Sequence, residues 1–225
     1  MKLTLIERVI GPRVEPLDRA GQSIRYSTPS FLLLVARILL IVSLFLPYWH
    51  MELHAPQYPD NLKLTAHINY LSGDVAEIDG LNHYIGMRPL GEAAQFERSI
   101  GVYAMIFFVI LLELACFIHS RWAVILTLPT ILFPGVFLLD LYLWMRHFGM
   151  NLDPYAPLSN SIEPFVPPVL GTGLIGQFKT VATPGAGLIL ASIASVVIVL
   201  SLFFHRRAYL PLAKARKARL ADQAA

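Results

Sequence analysis

The sequence contains one cysteine and unusually little charge. Cys116 is the only cysteine, so the chain forms no disulfide bond within itself and offers no cysteine-based zinc site. Only 15% of the 225 residues are charged, whereas typical soluble domains carry about 25%. This is too little charge to cover a core of this size, which excludes an ordinary soluble enzyme. The high content of hydrophobic residues, 56%, excludes an intrinsically disordered chain.

The sequence also lacks the motifs of the common catalytic sites. It shows no Ser-His-Asp order, no phosphate-binding P-loop, no GxGxxG fingerprint and no HExxH pair. We therefore predict that the protein is not an enzyme. The formal net charge is only +3, and the basic residues flank the apolar runs described next, so we predict no nucleic-acid partner.

What the sequence does contain is a set of long apolar runs. A membrane-spanning helix needs about 20 mostly apolar residues to cross roughly 30 Å of hydrocarbon. Four runs qualify, at residues 31–47, 100–119, 122–144 and 185–204. We predict an all-α transmembrane fold, a four-helix membrane bundle whose first partner is the lipid bilayer.

The distribution of basic residues predicts the orientation of these spans. Twelve Lys and Arg residues lie before the first span, between the second and third, or after the fourth, and five lie in the two long loops. Basic residues favour the cytoplasmic side. We therefore predict a multi-pass protein of the cell inner (plasma) membrane with both termini cytoplasmic. Its parts are a cytoplasmic segment (1–30), a membrane domain (31–204) with outer loops 48–99 and 145–184, and a basic cytoplasmic tail (205–225).

The two outer loops carry the signals of a small folded cap. Alternation over residues 62–71 predicts a strand, and Ser72-Gly73-Asp74 a turn. Residues 75–87 are interpreted as a second short strand leading into a helical turn. The second loop is rich in proline and is expected to lie extended over the first, with an edge strand over 175–181. Together they predict a mixed, β-containing extracytoplasmic cap on the bundle.

Histidine and methionine residues cluster on the predicted outer side, which suggests copper. Imidazole and thioether ligands without thiolate suit copper, because the soft thioether favours Cu(I). His83 and Met87 are four residues apart, so on a helical turn both would face one ion. His50 and His54 repeat this spacing, and His147 lies at the outer end of the third span. These residues are also compatible with an interface or cap that binds no metal.

A b-type haem is a further possibility. It requires two histidines on facing helices at matched depth. His50 and His147 lie at the outer ends of the first and third predicted spans, where an outer-leaflet haem would be held.

Two charged residues interrupt the apolar runs. Arg37 and Glu113 each lie six residues from the inner end of their predicted span, which at 1.5 Å per residue places both about 9 Å deep. Ionisable groups in a bilayer are costly unless they are paired. We therefore predict a structural ion pair between Arg37 and Glu113.

The sequence resembles a family of poorly characterised four-span membrane proteins. Three segments carry the resemblance: residues 73–80, the string Leu81-Asn82-His83-Tyr84-Ile85-Gly86-Met87 that follows them, and residues 175–180. Their LNHYIGM motif is associated with gene neighbourhoods for copper handling and nitrous-oxide-reductase maturation. The resemblance implies a membrane accessory protein in copper delivery or electron-transfer assembly, with His83 and Met87 as ligands. The outer loops lack cysteine, which argues against a thiolate-based copper chaperone.

The sequence leaves three functions open. The first is a copper-binding accessory protein that assists assembly or electron transfer of a membrane complex or a periplasmic metalloprotein. The second is a non-catalytic structural subunit of a larger respiratory or photosynthetic membrane complex. The third is a b-type haem electron-transfer protein.

Overall fold

A computed structural model describes residues 9–11, 23–158, 161–175 and 178–222. Most of the predicted cytoplasmic segment 1–30, and Gly176 and Gln177 of the predicted edge strand, lie outside these residues. The described helices are α1 (Ser23–Ser43), α2 (Val75–Ile85), α3 (Gln95–Cys116), α4 (Trp122–Met150) and α5 (Ala186–Asp222), with a short 3₁₀ turn at Leu90–Glu92. The strands are β1 (Trp49–His54), β2 (Leu62–Ala66), β3 (Leu71–Gly73), β4 (Gly171–Ile175) and β5 (Phe178–Pro184).

Within the described residues, four helices are long and apolar enough to cross a membrane: α1, α3, α4 and residues 186–219 of α5. Only 22–33% of the residues in their most apolar windows are buried in the protein. Helices that leave so much apolar surface exposed are typical of helices surrounded by lipid. The four predicted spans are thus found as helices of a multi-pass membrane protein, with shifted ends. Helix α1 begins before residue 31 and ends before Pro47, and α5 continues to Asp222 because its basic, alanine-rich end favours helix.

The chain divides into two compact units. The helical unit comprises residues 1–41, 105–133 and 191–225, and the sheet unit comprises residues 42–104 and 134–190. In the helical unit, Ser201 Oγ donates to the carbonyl of Pro29 at 2.8 Å, and Ser195 Oγ donates to that of Thr130 at 3.4 Å. Small hydroxyl side chains of this kind link closely packed helices in membrane proteins.

The sheet unit contains one antiparallel five-stranded sheet with the order β3-β2-β1-β5-β4. Strand β1 lies at its centre, pairing Trp49 with Ala66 of β2 and with Pro184 of β5. Both long loops therefore contribute to a single sheet. This agrees with the predicted fold class, a helical membrane bundle with a β-containing cap.

Three predictions within the cap were wrong or incomplete. The strand predicted over 62–71 is two strands separated by a turn, in which the His67 amide donates to the carbonyl of Tyr70 at 2.9 Å. The strand predicted within 75–87 is instead helix α2, because its buried residues recur at helical spacing. The edge strand predicted near 175–181 is the interior strand β5, since β4 pairs along its other side.

Candidate functional site

A cavity of about 120 Å³ lies in the sheet unit. Strand β1 contributes Trp49, Met51 and Leu53, which alternate along the strand and are all buried. Because successive side chains of a strand point to opposite faces, His50 and Glu52 lie on the other face of the sheet. The neighbouring strands complete this wall with Leu64, Ala66, Leu71, Ile175, Phe178 and Thr180.

Helix α2 forms a second wall of the cavity. One face of this helix is buried and carries Ile78, Asn82 and Ile85. These residues share a face because side chains three or four residues apart lie on the same side of a helix. Leu81, and Met87 just beyond the helix, also line the cavity. Four of the seven residues of the LNHYIGM string therefore contribute to the cavity wall.

The last turns of α4 form a third wall. Leu141, Trp144, Met145 and Phe148 line the cavity and recur at the i, i+3, i+4, i+7 spacing of one helix face. Since α4 is long and apolar enough to span a membrane, this wall is the end of a candidate span.

The proline-rich second loop covers part of the cavity with Phe165 and Pro167. Two hydrogen bonds hold this loop in place. The indole nitrogen of Trp49 donates to the carbonyl of Val169 at 2.6 Å, and the Phe165 amide donates to the carbonyl of Gly149 at 2.9 Å. The predicted position of the second loop over the first is confirmed by the bond from Trp49.

The cavity wall is almost entirely apolar, and Asn82 is its main exception. Asn82 is only 8% exposed, and its amide nitrogen has no hydrogen-bond partner among the described residues. Of the five buried side-chain atoms without a partner in that part of the chain, only this one belongs to the cavity wall. An unsatisfied buried polar group costs about 1–3 kcal/mol of stability. A water needs two to four polar partners to stay in such a space, so the cavity suits an apolar group better than water.

The structure places His50 and His54 in a strand rather than on a helical turn. Four residues of strand span about 13 Å at 3.3 Å per residue, too far for both imidazoles to bind one ion. His50 shares a hydrogen bond with Thr65 Oγ1 at 3.1 Å, and His54 Nε2 lies 3.9 Å from Glu52. The predicted haem geometry also fails here, since His50 does not lie on a helix.

The prediction that one helical turn carries both His83 and Met87 was also wrong. Helix α2 ends at Ile85 because Gly86 adopts the left-handed conformation, with φ of +81°. The Met87 amide then donates back to the carbonyl of Asn82 at 2.8 Å. Met87 is half-buried in the cavity wall, whereas the His83 side chain is exposed.

His147 lies near the end of α4 beside Asn151, whose side-chain nitrogen donates to the His147 carbonyl at 2.7 Å. Within the described ranges, no group of three or more His, Cys, Asp or Glu side chains is placed to hold a metal ion. Methionine is not one of these residue types. Copper binding by the outer histidines and Met87 therefore stays a prediction, which metal analysis of purified protein tests.

Arg37 of α1 and Glu113 of α3 form an ion pair within the helical unit, the pair that their matched depths predict. Sequence reasoning did not consider a ring cluster in the same unit. There the His119 ring stacks on that of Tyr209 with centres 4.2 Å apart, and His205 Nε2 donates to the carbonyl of Ile118 at 3.1 Å. The signal available was the spacing of His205 and Tyr209, four residues apart on one helix.

The cavity itself was not predicted from the sequence. The sequence pattern that could have indicated it is the helical spacing of Ile78, Asn82 and Ile85, in a segment interpreted as a strand. Searches with protein-family models and among curated proteins find no match to this chain. The geometry of the site is therefore the basis for the function proposed below.

Proposed function

We propose that this chain is a non-catalytic accessory protein of a cell membrane whose sheet unit binds the apolar part of a lipid. The observation that supports this proposal is the apolar cavity walled by the last turns of α4, a membrane-length helix. The proposal keeps the accessory role expected from the sequence and replaces copper with a lipid as the bound group.

The size of the cavity favours an occupant. An unfilled apolar cavity leaves the side chains of its wall without packing partners on one side. An apolar group that fills it supplies those partners and is stabilised through dispersion and burial.

The volume also limits what the occupant is. Sites for whole drug-sized ligands measure about 300–1,000 Å³, whereas a cavity near 150 Å³ accepts a single benzene-sized group. A segment of lipid chain, or one ring, matches a cavity of 120 Å³. A bilayer supplies such groups at the end of a spanning helix, so a lipid is the nearest source.

The location and partners of the protein follow from the sequence and belong to the same proposal. The bias of Lys and Arg favours an inner (plasma) membrane with both termini cytoplasmic, which makes the sheet unit extracytoplasmic. Other subunits of a membrane complex or a periplasmic protein are the partners proposed for an accessory role.

Native mass spectrometry of detergent-purified protein tests lipid binding. We expect the wild type to retain lipid. Ala66→Phe and Ala93→Leu should retain less, because both positions line the cavity and a larger side chain there occupies its volume. Ala76→Leu is the matched control, since Ala76 is exposed on α2 and is not part of the wall.

Equal lipid retention by the wild type and both filled variants would contradict the proposal. Thermal unfolding of each variant shows whether it is folded. The two cavity-filling substitutions lie in a strand and in a loop. If one variant does not fold, the other still tests the proposal.

A further inference from the structure

We infer that the side-chain amide of Asn82 donates a hydrogen bond to a carbonyl oxygen of the lipid that occupies the cavity. The inference rests on the proposed function and names the chemistry that the site recognises. It starts from the one unpartnered polar atom of the cavity wall in the described part of the chain.

Packing alone gives no reason for asparagine at this position. Ile78 and Ile85 occupy the same buried face of α2, and leucine has the same branching and number of side-chain heavy atoms as asparagine without a polar group to satisfy. Asparagine is also a weaker helix former than leucine. A buried amide that the protein itself does not satisfy is explained by a ligand that does.

The backbone around Asn82 fixes the position of this amide. The Asn82 carbonyl accepts hydrogen bonds from the backbone amides of Gly86 and Met87, which close the end of α2.

The chemistry of the wall selects the class of ligand. An amide N–H requires an acceptor, and a carbonyl oxygen is the acceptor that apolar membrane molecules carry. A charged headgroup is excluded, because the residues that line the cavity include no Lys, Arg, Asp or Glu and an unpaired charge is costly in such a site. An acyl ester of a phospholipid and the ring of a quinone both supply the required carbonyl.

A competition between matched lipids tests this inference. The protein is incubated with equal amounts of a diester phosphatidylcholine, its diether analogue with the same chain lengths, and a ubiquinone analogue with a short alkyl tail. Bound species are counted by native mass spectrometry. The diether lipid matches the diester in size and headgroup and lacks only the ester carbonyls.

We expect the wild type to prefer one of the two carbonyl-bearing probes over the diether about tenfold, the effect of one hydrogen bond of about 1.4 kcal/mol. Preference for the diester identifies a phospholipid as the source of the carbonyl, and preference for the quinone analogue identifies a quinone. Asn82→Leu should bind all three without preference. His83→Leu, which changes the exposed neighbour, should keep the wild-type preference.

Two results separate failure of this inference from failure of the proposed function. If the wild type binds the diester, the diether and the quinone analogue equally, and Ala66→Phe weakens all three, the carbonyl inference is wrong and lipid binding stands. If no probe binds, or Ala66→Phe weakens none, the cavity does not hold lipid and both are wrong.

Discussion

The hydroxyl groups of Ser43 and Tyr48 lie 2.9 Å apart and hydrogen-bond to each other. Both residues are fully buried, with relative exposures of 0%. Ser43 is the last residue of α1, and Tyr48 directly precedes β1. The pair therefore lies within the sheet unit and fixes the short segment that leads into its central strand. Burial raises the pKa of Tyr48 from 10.0 to about 12, against the smaller opposite effect of the bond to Ser43.

This pKa predicts a loss of stability at alkaline pH. The unfolded chain ionises Tyr48 near pH 10, whereas the folded protein keeps it neutral until about pH 12. The stabilisation is therefore complete below pH 10 and decreases as the pH rises toward 12, by up to about 2–3 kcal/mol. Unfolding of wild type and Tyr48→Phe, followed between about pH 9 and about pH 11.5, should show a shallower decline for the variant.

Tyr155→Phe is the control for this experiment, because Tyr155 is 93% exposed. Its decline with pH should match that of the wild type. Identical declines for wild type and Tyr48→Phe would mean that Tyr48 ionises as readily in the folded protein as in the unfolded chain.

The glycine of the LNHYIGM string is predicted to be a structural requirement. Gly86 has a φ of +81°, and a Cβ there would lie 2.6 Å from the carbonyl oxygen of Asp153. Gly86→Ala should lower stability by about 2 kcal/mol or more, through left-handed strain and this contact. Gly80→Ala, inside α2 with no atom within 4 Å of its Cβ, should be neutral or stabilise by about 0.5–1 kcal/mol. Equal unfolding temperatures for the two variants in detergent would refute this explanation.

The ion pair in the helical unit predicts a compensating double mutant. Arg37→Ala leaves the Glu113 carboxylate without its partner in an apolar environment and should cost about 2–3 kcal/mol. Adding Glu113→Gln removes the stranded charge, so the double variant should recover part of this loss in a thermal unfolding assay. A double variant no more stable than Arg37→Ala would show that the pair contributes little.

The predicted orientation is tested by cysteine labelling. In a Cys116→Ala background, a cysteine replacing Asp60 should react with an impermeant maleimide added to intact cells. A cysteine replacing Asp222 should react only after lysis. Both positions are exposed, so the difference reports the side of the membrane. The opposite pattern would place the sheet unit in the cytoplasm.

Much of the helical framework could be predicted because hydropathy is a local property. The apolar runs locate α3 and α4 well, and the equal depth of Arg37 and Glu113 predicts the ion pair without knowledge of helix packing. The alternation of Leu62 and Leu64 likewise indicates β2. Helix ends were less accurate, because capping and tertiary contacts decide them.

The cavity could not be predicted, because it depends on contacts between distant segments. Strand β1 lies between β2 and β5, and nothing in the sequence near Trp49 indicates that Phe178 belongs to the neighbouring strand. In α2 the polar Asn82 interrupts the apolar pattern, so the helical spacing of Ile78 and Ile85 was missed. His83 and Met87 suggest a shared ion only if the helix continues, and the conformation of Gly86 ends it.

Fluorescence quenching of Trp49 tests most directly whether lipid enters the cavity. Trp49 lines the cavity and is 2% exposed. A Trp122→Phe/Trp144→Phe variant retains it as the single tryptophan of the chain. The variant is reconstituted in plain phosphatidylcholine and in phosphatidylcholine brominated on the acyl carbons close to the ester groups. Bromine quenches tryptophan only at close approach, and Trp49 and Asn82 line the same cavity, so a lipid bound through its ester carbonyl brings these carbons near Trp49. We predict strong quenching by the brominated lipid and a clear reduction of it when Ala66→Phe fills the cavity. Equal emission in the two lipids, or quenching that Ala66→Phe leaves unchanged, would contradict lipid binding in the sheet unit.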